Sequence, residues 1–96
     1  MEINEIQERA IEAVNFRCEK IGIEKTEDIL MIHLIEEFGE LAKQLMNEKL
    51  KKKEINVTNA AEEISDCLIL LFNLADHFGI NLEKSLSNKI EGVKLK

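Results

Sequence analysis

The chain reads as all-α, a four-helix up-down bundle joined by short loops. No proline interrupts its 96 residues, and it holds only four glycines. Strand formers are sparse, with no Tyr or Trp and Val only at Val14, Val57 and Val93. Apolar residues recur at steps of three and four along most of the chain, which is the period of a helix face rather than of a strand.

The first helix spans roughly Ile3 to Ile21, with Ile3, Ile6, Ala10, Ala13, Val14 and Arg17 on one face and Gly22 as its stop. The second begins near Thr26 or Glu27 and runs to about Leu50, on a stripe of Leu30, Leu34, Phe38, Leu41, Ala42 and Leu45. A Lys-rich turn from Lys51 to Asn56 follows, and Lys51-Lys52-Lys53 reads as a solvated interhelical loop. Asn59 and Glu62 have the spacing of a capping box, so the third helix is expected to start there. It ends at His77-Phe78-Gly79-Ile80, where Gly79 suits a left-handed C-terminal position. Asn81 caps a short fourth helix through about Val93, weakened by Gly92.

Residues 1–96 make one domain at the small end of what folds alone. A chain of this length buries only about 60–65% of its unfolded surface, and association of subunits is the usual remedy. Apolar residues are 45% and charged residues 33%, which suits a folded chain rather than a disordered one. The net charge of −6 argues against a nucleic-acid groove, where Lys and Arg must meet phosphate. Cys18 and Cys67 stand alone, without CxxC or CxxH spacing, as in a reducing compartment. No signal-like apolar segment is expected at the N-terminus, and the apolar stretch around Cys67–Leu71 is too short for a bilayer. A cytoplasmic protein without membrane or nucleic-acid partners is the expectation.

The chemistry lies in the carboxylates. At about 100° per residue, Glu40 sits about 40° and Glu37 about 100° from Glu36, while the apolar stripe lies at about 120–200°. Taken alone, Glu36, Glu37 and Glu40 read equally as the wet face of an amphipathic helix. The third helix differs, because Ile64 to Ala75 is apolar around almost its whole circumference. Glu63 and Asp66 head that buried stretch, where carboxylates are costly unless something neutralises them. A short turn makes the second and third helices antiparallel neighbours. Four carboxylates would then share one volume, and a hard divalent cation, Mg²⁺ or Mn²⁺, resolves their repulsion. His33, one turn before Glu37, either touches substrate or pairs with Glu37. A carboxylate-bridged di-iron site is excluded: His33-x-x-Glu36 runs in the reverse order, and Leu74 stands three residues before His77.

EEFGE at Glu36–Glu40, 22 intervening residues and EISD at Glu63–Asp66 resemble the EExxE…ExxD signature of the MazG-like, all-α nucleotide pyrophosphohydrolases. GELAK at Gly39–Lys43 and HFGINLEKSLSNKI at His77–Ile90 are similar to that family as well. The likeness covers most of the chain from the second helix onward. It implies Mg²⁺-dependent hydrolysis of the α–β phosphoanhydride of a nucleoside triphosphate, giving monophosphate and pyrophosphate, with clearance of non-canonical nucleotides as the role. It also implies Glu37, Glu40, Glu63 and Asp66 as metal ligands and Lys89 on phosphate, in a homodimer or homotetramer with sites where subunits meet. Glu36 matches the first Glu, and the expectation is that it accepts the proton from water. Gly92 stands where the family continues with Asn, and no Arg follows. With no Trp or Tyr, base stacking falls to Phe16, His33 or Phe38. Two alternatives stay open. One is a phosphoribosyl-ATP pyrophosphohydrolase, and the other is a non-catalytic helical module for oligomerisation or regulation.

Overall fold

The computed structural model describes residues 2–51 and 54–94; Lys52 and Lys53 of the Lys-rich run lie outside them. The described residues form four helices and no strand: α1 (Ile3–Ile21), α2 (Glu27–Lys51), α3 (Val57–His77) and α4 (Leu82–Lys94). None is long and apolar enough to cross a membrane.

Each boundary has a local cause. Gly22 adopts φ 73°, and its N–H with that of Ile23 closes onto the carbonyls of Glu19 and Cys18, the double bond that ends a helix in the left-handed region. Thr26 Oγ1 accepts the N–H of Ile29 at 3.3 Å, and Glu27 and Asp28 follow in the first turn of α2, where the helix dipole favours anions. α3 starts a turn earlier than the Asn59–Glu62 pattern suggests. Asn56 is extended (φ −80°, ψ 101°), and its Oδ1 accepts the Asn59 N–H at 3.0 Å, so Asn56 is the cap and Asn59 already lies within the helix. At the other end Gly79 takes φ 68° and Ile80 N–H reaches the Ala75 carbonyl at 2.8 Å. Asn81 Oδ1 then accepts the Lys84 N–H at 3.1 Å and opens α4.

α3 is the central helix, packed extensively against both α2 and α1. The core joins Leu30 and Leu34 of α2 to Cys67 and Leu70 of α3, with Val14 and Leu74 against them. The fully buried Asn73 fastens three segments: its Nδ2 donates to the carbonyls of Ile69 (2.8 Å) and Ala10 (3.2 Å), and its Oδ1 accepts from Lys25 Nζ (3.0 Å).

The bundle is open on one side, since α4 buries no residue. Phe38 and Leu45, expected in the core stripe of α2, are 49% and 46% exposed. The stripe that does face α3 runs Leu30, Leu34, Glu37, Leu41 and Gln44, all buried or half-buried. The chain exposes 7534 Å², against roughly 5,600 Å² for a compact monomer of 11.0 kDa. Its radius of gyration, 15.7 Å, likewise exceeds the roughly 12.5 Å of a compact 96-residue domain.

Candidate metal centre

Two glutamates occupy seam positions between α2 and α3. On α2, Glu37 follows Leu34 and precedes Leu41 at the three-to-four-residue steps that face α3. On α3, Glu63 precedes Cys67 and Leu70 in the same way, and both glutamates are half-buried. Asp66 lies beside them on the exposed flank. One oxygen from each of Glu37, Glu63 and Asp66 lies within 4.8 Å of the other two. Ligand oxygens around Mg²⁺, each about 2.0–2.1 Å from the ion, stand roughly 3–4 Å apart.

The electrostatics carry the strain of this grouping. The Glu63 carboxyl is held above its ordinary 4.5, first by the hydrogen-bonding Glu37 carboxyl, then by loss of water around it; Glu40 acts in the opposite sense. Glu40 is raised as well, first by hydrogen bonding with Glu63 and then by its charge. Glu63 Oε2 is shielded from solvent and has no hydrogen-bond partner. A shielded oxygen facing other carboxylates is unfavourable unless a proton or a cation lies between them. Among the described residues no Lys or Arg pairs with these carboxylates; His33 Nε2, 3.4 Å from Glu37 Oε1, is their one basic contact.

The donor set is all oxygen, which suits Mg²⁺ or Mn²⁺. Cys67 is close by, but burial foremost, followed by the charges of Glu37, Glu63 and Asp66, pushes its thiol above the ordinary 9.0.

The expected site residues separate into groups. Glu37, Glu63 and Asp66 come together. Glu40 is exposed at the edge, coupled to Glu63 but outside the three-oxygen group. Glu36 is exposed, and its charge reaches Glu40. His33 pairs with Glu37 and lines the cavity beside the cluster. Lys89 lies exposed on α4 and does not line that cavity; neither do Phe16 and Phe38, 67% and 49% exposed.

The cavity, about 510 Å³, opens between α1, α2 and α3. Its apolar floor includes Val14, Cys18, Leu30 and Leu70, and its polar wall consists of Arg17, His33, Glu37 and Asp66. Arg17 was legible in the sequence only as a member of the inward face of α1. Its signal is a cation on an otherwise apolar stripe, one turn after Val14. No family model, curated protein or solved structure matches this chain.

Proposed function

We propose that the chain is a Mg²⁺-dependent nucleoside triphosphate pyrophosphohydrolase that cleaves the α–β phosphoanhydride. The observation that carries the reading is the convergence of Glu37, Glu63 and Asp66, with an unpartnered, solvent-shielded oxygen on Glu63. The EExxE…ExxD resemblance supplies the substrate class. Mn²⁺ is an equivalent occupant on the same donor chemistry.

In this reading Glu37, Glu63 and Asp66 hold the cation, and Glu40 joins when the site is loaded. Bound there, a divalent cation would neutralise phosphate oxygens and make a nearby water more acidic. Glu36, exposed and outside the three-oxygen group, accepts the proton as the water oxygen bonds to phosphorus and the α–β bridging oxygen leaves. His33 holds Glu37 and faces the cavity that receives the nucleotide. Lys89 reaches phosphate only if subunit assembly brings an α4 to the site.

Assembly is part of the proposal. The surface excess of roughly 1,900 Å² per chain falls in the range that permanent homodimers bury. The same excess favours a second reading, a non-catalytic assembly module.

One experiment separates them. The protein is incubated with Mg²⁺ or Mn²⁺ and a panel of ordinary, damaged and phosphoribosyl nucleotides, with detection of monophosphate and pyrophosphate. Metal-dependent pyrophosphate release, lost in Glu37→Gln and Asp66→Asn, is expected. A full panel without pyrophosphate would end the enzyme reading, and absence of thermal stabilisation by either cation would favour the module.

A further inference from the structure

The cavity beside the carboxylates also holds a positive charge with no assigned task. Arg17 follows Ala10 and Val14 along α1 at steps of four and three, so it stands on the face that packs toward α3. There it lines the same cavity as Glu37 and Asp66. Glu37 and Asp66 line that cavity with it, yet among the described residues Arg17 makes no ion pair. Arg17 is exposed, and a guanidinium offers a fork of donors.

A cavity lined both by a cation and by acidic side chains that would hold a metal is suited to an anion with several oxygens. Some of those oxygens meet the bound metal, and others meet the guanidinium in the two-pronged geometry that phosphate accepts. Lys89, the other candidate for phosphate, sits on a helix that buries nothing and is absent from the cavity wall.

We infer that Arg17 grips a phosphate group of the nucleotide within the cavity it lines together with Glu37 and Asp66, an inference that rests on the nucleotide reading above. Arg17 is then a substrate-binding residue supplied by α1, within the same chain as the acidic cluster.

The test measures binding rather than turnover. An α,β-methylene nucleoside triphosphate, which cannot be cleaved at that bridge, is titrated into the full chain with Mn²⁺ present. Arg17→Ala, Arg17→Lys and Lys89→Ala are compared, and Mn²⁺ alone is titrated into each. The expected result is a tenfold or greater loss of analogue affinity in Arg17→Ala and a smaller loss in Arg17→Lys. Unchanged Mn²⁺ affinity and a shallower salt dependence of analogue binding in Arg17→Ala are also expected. Arg17 is exposed, so the variant is expected to melt with the wild type. Wild-type affinity in Arg17→Ala overturns the inference and leaves the nucleotide reading intact. A wild-type chain that binds Mn²⁺ but no analogue overturns both.

Discussion

Glu37 and Glu63 face one another across the α2–α3 seam, each at a position where the neighbouring turns supply Leu34 and Leu41 or Cys67 and Leu70. The Glu37 carboxyl is the foremost reason that Glu63 holds its proton more tightly than usual. Two like charges at apolar positions weaken the fold. In the metal-dependent function proposed above, stability without metal and metal binding are opposed in the same pair.

Glu63→Gln should raise the melting temperature of the metal-free protein at neutral pH, because it removes a charge that Glu37 and Asp66 repel. The amide also gives Glu37 a donor. The same substitution should abolish the stabilisation that Mn²⁺ confers on the wild type. Paired thermal melts with and without Mn²⁺ check this. A variant less stable without metal, yet still stabilised by it, contradicts the account.

The pH dependence has a definite sign. Glu40 and Glu63 have folded-state values above the ordinary 4.5. Their contribution to stability is therefore complete below that value and is lost as pH rises through the raised folded values. The metal-free melting temperature should fall as pH climbs from about 4.5 through the raised range, and Glu63→Gln should flatten that fall. With Mn²⁺ the trend reverses, since the cation requires ionised carboxylates and binding releases protons. Calorimetry in buffers of different ionisation enthalpy would detect that release.

Asn73 is the one fully buried polar side chain among the described residues, and it bonds to Ile69, Ala10 and Lys25. Asn73→Ala leaves the Ala10 carbonyl and the Lys25 amine without this partner and opens a void. The expected loss is about 2–4 kcal/mol in urea denaturation. Asn73→Asp should also destabilise, because it sets carboxylate oxygens against the carbonyls of Ala10 and Ile69. A loss under about 0.5 kcal/mol for both would show that the network carries little.

Two glycines should respond in opposite directions. Gly22 has φ 73°, so Gly22→Ala strains the end of α1 and should cost about 1 kcal/mol. Gly39 lies inside α2 with open space where a Cβ would stand, and Gly39→Ala should gain about 0.5–1 kcal/mol in helix propensity. If Gly39→Ala instead lowers stability together with oligomer mass in sedimentation, the open space is where a partner's backbone approaches.

Local chemistry in the sequence determines the helices. The absence of proline, the left-handed glycines at 22 and 79, and the asparagine at 81 act within a few residues of where they stand. The α1 and α4 bounds therefore match the sequence reading to within a residue. The start of α3 was harder to read because Asn56 and Asn59 both have capping chemistry, and only the extended backbone at Asn56 selects between them. The sequence named four candidate ligands and expected them to share one volume; the structure brings Glu37, Glu63 and Asp66 together and leaves Glu40 outside the three-oxygen group. Helical spacing alone set Glu37 on a wet face with Glu36 and Glu40. The tertiary structure turned α2 so that Glu37 lies in the seam and Phe38 lies open, because α3 covers only one narrow stripe of α2 and α4 buries none of its described residues. Arg17 likewise acquires a cavity only when α1 packs beside α3, since a cation on one helix lines no cavity until other helices supply the rest of its lining.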